Sequence, residues 1–179
     1  MSRPSDLSEQ DDEDTRFMEI ADAVSTKSTC IRAKYGSILT RHGLVLSTGY
    51  NRCLTNLGDE PLRCDREQRN VPHGTQYEIG DCLHSEMDVI LDCARRGVSC
   101  EGATMYVNGI PCSLCARQIA ISGISRLVVR MPASPEVCPV VNGVGFLIEA
   151  GLDIVILSEG ARARHLGLEP KVDAHATSQ

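Results

Sequence analysis

Phe17, Ile20, Ala21 and Val24 recur at helical spacing. The pattern predicts an amphipathic helix from Asp14 to about Ser28. Ser37–Thr40 and Leu44–Ser47 are apolar-rich runs separated by Arg41-His42-Gly43, which predicts a β-hairpin. A long polar stretch then runs from Arg52 to Gly80. A structureless loop of that length is uncommon inside one domain and is usually functional or tied down. From Leu83 to Arg96 the pattern predicts a helix that stops before Gly97, with Met87, Ile90, Leu91 and Ala94 on one face. A strand follows over Ala103–Val107, and then a helix from Pro111 to about Ser122, with the proline at its first position. Arg126–Arg130 is a strand, Val141–Ala150 a helix capped by Gly151, and Asp153–Leu157 the last strand. This alternation predicts an α/β fold: a single-domain α/β/α sandwich whose central mixed five-stranded sheet is flanked by helices. The domain is expected over residues 15–160, between a disordered acidic tail (1–14) and a polar, mobile C-terminal tail (161–179).

Composition refines this picture. The chain has 179 residues, 42% hydrophobic, but aromatics are only 3% and Trp is absent, so the core must be aliphatic. The net charge of -6 is mostly local. Residues 1–14 carry six acids and one base, and the rest of the chain is nearly neutral. No basic face demands an extended nucleic acid partner. No N-terminal pattern predicts a signal peptide, and no apolar run reaches the ~18 residues of a membrane span. The expected compartment is the cytoplasm, with no membrane partner. There the nine cysteines point to metal or catalysis rather than disulfides.

Two short segments carry candidate chemistry. His84-Ser85-Glu86 opens one predicted helix, and Pro111-Cys112-Ser113-Leu114-Cys115 opens another. Cys112 and Cys115 are three apart, so both thiols fall on one face of a first turn. A helix N-terminus also favours the thiolate that a metal needs. One His and two Cys give a tetrahedral ion such as zinc three ligands and leave one position open, the mark of a catalytic site. Glu86 is not expected to be a ligand. Its side chain can reach past His84 to a water on the ion and exchange a proton with it. A lone Cys-x-x-Cys is also compatible with half a zinc ribbon or a redox pair, and a lone His-x-Glu carries little information. Their joint occurrence, each at a helix start, is the signature of zinc nucleobase deaminases.

The chain resembles the deoxycytidylate deaminases of the zinc-dependent cytidine/deoxycytidylate deaminase superfamily, from about Ser28 to Leu157. The run HSEMDVILDCARRGVSCEGATMYVNGIPCSLCARQIAISGISRLVV resembles the family pattern almost throughout. STCIRAKYGSIL, STGYN and the insert CDREQRNVPHGTQYE resemble segments that favour a deoxynucleotide over a nucleoside or tRNA substrate. The resemblance implies zinc ligation by His84, Cys112 and Cys115, and proton transfer by Glu86. It implies a backbone N–H from Ser85 to the pyrimidine carbonyl, a sugar contact from Asn51 and a 5′-phosphate contact from Arg32. The implied reaction is hydrolysis of dCMP to dUMP and ammonia, by attack of a zinc-activated water on C4 of cytosine.

Some relatives carry a second, structural zinc. Here the matching positions hold Cys30, Cys64, His73 and Cys82, with Cys53 an alternative to Cys64. The resemblance also implies a homo-oligomer, with a hexamer favoured, and dCTP and dTTP as effectors. The chain departs from the family at Tyr35, where Val is usual, and at Asp81, where many relatives carry Arg. Alternatives are another cytosine nucleotide or nucleoside deaminase, a tRNA adenosine deaminase, or a non-catalytic zinc module that binds a partner.

Overall fold

The computed structural model describes residues 4–54, 64–72, 75–130, 140–158 and 161–166. The chain opens with helix α1, Pro4–Ser25. Strands β1 (Gly36–Arg41) and β2 (Leu44–Tyr50) form an antiparallel hairpin. Its two-residue turn, His42-Gly43, takes φ of 53° and 71°, as a type I′ turn requires. Within the long polar stretch lie β3 (Arg52–Cys53), the short helix α2 (Asp65–Gln68) and a single 3-10 turn, Tyr77–Ile79. Strand β4 (Cys82–Leu83) pairs antiparallel with β3. Then come α3 (Ser85–Arg96), β5 (Thr104–Val107), α4 (Ser113–Ile121), β6 (Arg126–Arg130), α5 (Val140–Glu149), β7 (Asp153–Ser158) and β8 (Ala161–Leu166).

The main sheet runs β2-β1-β5-β6-β7-β8. β5, β6 and β7 are parallel, while β1, β2 and β8 run antiparallel to their neighbours. This is the expected mixed sheet flanked by helices, with one strand more than the pattern predicts. Residues 161–166, expected to belong to a mobile tail, pair along β7 instead. The short alternation there was obscured by polar composition, and only the edge of an existing sheet supplies its hydrogen bonds.

Alternating side chains divide the core in two. Leu39, Met105, Val107, Leu127, Val129 and Ile154 face α3, α4 and α5. Ile38, Tyr106, Val128 and Val155 face α1 through Phe17, Met18 and Ala21. Ile20 is left 40% exposed, so the buried stripe of α1 passes through Met18. In α3 the inward positions are Val89 and Cys93, while Leu91 is exposed. Of the expected stripe, Ile90 packs against the core and Met87 is half-buried, while Leu91 and Ala94 face outward.

Helix α1 also corrects the expectation of a disordered tail over 1–14. Asp14 is fully buried. Its two oxygens accept from Arg126 Nη1 and Nη2 at 2.7 Å each, and one also accepts from Tyr106 Oη at 3.0 Å. Further along α1, Asp22 pairs with Arg130 and accepts from Asn108 Nδ2 at 3.1 Å. Counting acids along the chain signals a solvated tail; two of the acids in this helix instead answer arginines on β6. Among the described residues no helix is long and apolar enough to cross a membrane.

Candidate active site

The site lies at the starts of α3 and α4. β5 leads out through residues 108–112 into α4, so Cys112 sits beyond the carboxyl end of a parallel strand, where α/β sheets place their ligands. Pro111 is not the first helical residue as expected. Cys112 is the N-cap, and its Sγ accepts from Cys115 N at 3.5 Å. Gly143 of α5 packs against this entry: a Cβ there would lie 2.5 Å from Pro111 O. On the other side, His84 is the N-cap of α3, after β4 rather than inside the helix. Gly49 of β2 lets that first turn approach, since a Cβ there would lie 2.8 Å from Ser85 O.

His84 Nδ1 lies 3.4 Å from Cys112 Sγ and 3.4 Å from Cys115 Sγ. These three donor atoms are mutually within 4.8 Å, the one such cluster of His, Cys, Asp or Glu among the described residues. One imidazole nitrogen and two thiol sulfurs suit zinc, and a three-donor set leaves a fourth position open. Hydrogen bonding from the Cys115 thiol holds Cys112 below the ordinary thiol range, against the effect of burial. Burial alone would lower His84, but its hydrogen bond to Cys112 and the charge of Glu86 lift it above its usual value.

Glu86 is buried beside this cluster. Burial raises its carboxyl above the usual range, an effect only partly opposed by His84. Its Oε2 accepts from Ser85 Oγ at 3.1 Å. Ser85 Oγ also accepts from Ser37 Oγ at 2.8 Å, so β1 orients the serine. The Ser85 N–H, at the first position of α3, is one of the helix's unpaired donors.

Asn51 is buried and largely committed. Its Oδ1 accepts from Ser28 Oγ at 2.6 Å and Tyr35 N at 2.8 Å, and its Nδ2 donates to Ala33 O at 2.9 Å. With both lone pairs engaged, it can offer a substrate one remaining N–H. Arg32 is also sequestered, its side chain 7% exposed. Nη2 donates to Val71 O at 2.7 Å, and Glu67 lies 3.4 Å from Nε. Nε and Nη1 are buried without a hydrogen-bond partner among the described residues. A guanidinium with orphaned buried donors suits an oxyanion.

Cys30, Cys53, Cys64 and Cys82 are neighbours, but no three of their sulfurs lie within 4.8 Å of one another. β3–β4 pairing sets Cys53 opposite Cys82. The Cys30 and Cys82 thiols are hydrogen-bonded, and Cys64 lies within charge reach of Cys82. His73 lies outside the described residues. No disulfide occurs among the described cysteines.

Two residues of the insert reach the site with no role expected from the sequence. Tyr77 packs edge-on to His84, and Arg66 stacks on Tyr77. Both lie in the quoted insert, but nothing in its spacing shows that it folds back to the metal cluster.

Comparison with known proteins gives a consistent result. The model of the cytidine and deoxycytidylate deaminase zinc-binding region matches residues 11–131. The deoxycytidylate deaminase of Mycobacterium phage D29 is 34% identical over 132 residues, covering 72% of this chain and 96% of the phage protein. That of Enterobacteria phage T4 is 30% identical over 142 residues, covering 62% of this chain and 74% of its own. The dCMP deaminase of cyanophage S-TIM5 shares the fold in its apo form, with TM-score 0.62 and 20% identity over 87% of this chain and all of that one. The cyanophage enzyme has also been solved in complex with dCMP and dUMP. With the metal cluster lying inside the matched span, the chain belongs to the cytidine and deoxycytidylate deaminase family, whose members bind zinc.

Proposed function

We propose that the chain hydrolyses dCMP to dUMP and ammonia. The observation that carries this reading is the convergence of His84 Nδ1, Cys112 Sγ and Cys115 Sγ beside a buried carboxylate, Glu86, that has no arginine or lysine partner among the described residues. The names of the phage relatives, and the substrate and product bound to the cyanophage enzyme, support dCMP as the substrate.

His84, Cys112 and Cys115 would hold zinc, which when bound supplies Lewis-acid activation of the attacking water. Glu86 takes a proton from that water, delivers it to N3 of the cytosine, and then moves a proton to the departing amine. The water oxygen ends on C4, and nitrogen leaves as ammonia. The Ser85 N–H is the proposed donor to the pyrimidine carbonyl, and the remaining N–H of Asn51 the proposed donor to the sugar. Arg32, whose Nη1 has no hydrogen-bond partner among the described residues and whose Nε has only the ion pair with Glu67, is suited to the 5′-phosphate by its fork of donors. Cys30, Cys64 and Cys82, with Cys53 and the undescribed His73, are proposed as the pool of ligands for a second, structural zinc. Two zinc ions per chain by elemental analysis support that site, and one removes it. Exposed apolar side chains on successive helices, Leu91, Leu114, Ile121 and Phe146, favour self-association.

Ammonia release from dCMP, CMP, dCTP, cytidine, deoxycytidine and an adenosine-bearing RNA tests the substrate. dCMP is expected to be turned over best. Arg32→Ala should raise KM for dCMP while leaving deoxycytidine turnover unchanged. No turnover of any substrate by zinc-loaded protein would instead favour a binding module.

A further inference from the structure

A zinc-ligating histidine usually donates its second ring N–H to a carboxylate or carbonyl, which fixes the plane of the ring. His84 finds no such acceptor among the described residues: its hydrogen-bond contacts are those of Nδ1 with the two thiols. What meets the imidazole is the ring of Tyr77, with centroids 5.3 Å apart and planes at 80°. Tyr77 is half-buried, and Arg66 stacks on its ring, with Cζ 4.7 Å from the ring centre. The guanidinium is itself fixed. Nη2 donates to Thr75 O at 2.7 Å and to Pro72 O at 3.3 Å, so its position is set by the backbone of the insert. Gly80 makes room for it, since a Cβ there would come within 3.2 Å of Arg66 Cδ.

We propose that Tyr77, clamped by Arg66, is a positioning residue that holds the His84 ring in its ligating orientation. Aromatic packing then does the work that an outer hydrogen bond does in other zinc sites. An edge-to-face ring pair is directional, and a cation over the tyrosine face reinforces it. The long insert thereby completes the metal site although it supplies none of the three ligands. The same insert holds Arg32, because Val71 N donates to Arg66 O at 2.8 Å and Val71 O accepts from Arg32. The histidine and the candidate phosphate contact are thus tied to one short turn of chain.

This inference rests on His84 being a zinc ligand, and the test separates the two. Zinc release from wild type, Tyr77→Phe, Tyr77→Leu and Arg66→Gln is followed with excess chromogenic chelator. The release phase of this site is identified by its loss in Cys112→Ser. Tyr77→Leu should weaken zinc retention by about 10- to 100-fold. Tyr77→Phe should restore it, and Arg66→Gln should fall between. Melting of the zinc-stripped variants should stay close to that of zinc-stripped wild type. A Tyr77→Leu protein that retains zinc as wild type does overturns the inference and leaves the zinc reading intact. So does a Tyr77→Phe protein as leaky as Tyr77→Leu. A wild-type chain with no zinc phase lost in Cys112→Ser removes both.

Discussion

Asp14 and Glu86 are both buried carboxylates, and their surroundings are opposite. Asp14, in α1, has a bidentate arginine and a tyrosine hydroxyl as partners. Glu86, in the first turn of α3, meets the Ser85 hydroxyl, the Cys115 thiol and the His84 imidazole, and has no arginine or lysine partner among the described residues. The first arrangement is complete in the folded chain; it pins a helix to the sheet. The second is left electrostatically open, with three metal-ligating atoms beside it. A carboxylate that must gain and lose a proton is poorly served by a permanent ion pair, which would hold it ionised. Burial, only partly opposed by His84, keeps its proton affinity high, as general acid–base work at neutral pH requires.

Replacing the open carboxylate should have the largest effect. Glu86→Gln keeps the size of the side chain and removes the proton acceptor, so turnover is expected to fall by about 10²- to 10⁴-fold, with zinc content unchanged. The same variant sharpens the comparison through stability. Because burial raises the Glu86 pKa, its ionised form opposes folding of the zinc-stripped protein. That protein should lose stability as pH rises from the unfolded carboxyl value, about 4.3, through the folded one. Glu86→Gln should flatten this dependence in thermal melts between pH 4 and pH 8. Full turnover in Glu86→Gln would take the proton-shuttle role away from this residue.

Breaking the closed pair should affect folding and spare chemistry. Asp14→Ala strands a mostly buried guanidinium, and removal of one partner from a buried pair costs about 3–5 kcal/mol. Arg126 keeps Asp153 at 3.1 Å, which puts the expected loss toward the lower end. Urea unfolding measures it, while kcat and KM at low temperature should remain those of wild type. A large change in KM without loss of stability would mean that α1 shapes the substrate site.

The two carboxylates also differ in how legible they were in the sequence. Glu86 announces itself because His84 and Glu86, with Cys112 and Cys115, have a spacing that only metal chemistry explains. Asp14 was hidden among five other acids in residues 1–14. Its role depends on Arg126, more than a hundred positions away, and local charge counting cannot see that pairing. The five strands and the helices between them follow from short apolar runs. β8 does not, because it draws its stability from the edge of β7 rather than from its own pattern. In the same way Arg66 and Tyr77 look like ordinary insert residues until the chain folds back onto His84. Local periodicity and motif spacing are readable, whereas contacts set by the path of a long polar connection are not.

The smallest effect is expected from replacing the closed pair as a unit. Asp14→Leu with Arg126→Met removes both charges and leaves apolar side chains of comparable length between α1 and β6. The pair bears a desolvation cost that apolar packing does not, and such exchanges are often neutral or stabilising by about 1–4 kcal/mol. Tyr106 limits the gain here, since its hydroxyl donates to Asp14 and would be left buried and unpaired. Net stability should therefore stay within about 1–2 kcal/mol of wild type, well above that of Asp14→Ala alone. Adding Tyr106→Phe should recover the difference. A double variant as unstable as Asp14→Ala would show that the ion pair itself, and not merely the filling of its site, holds α1 against the sheet.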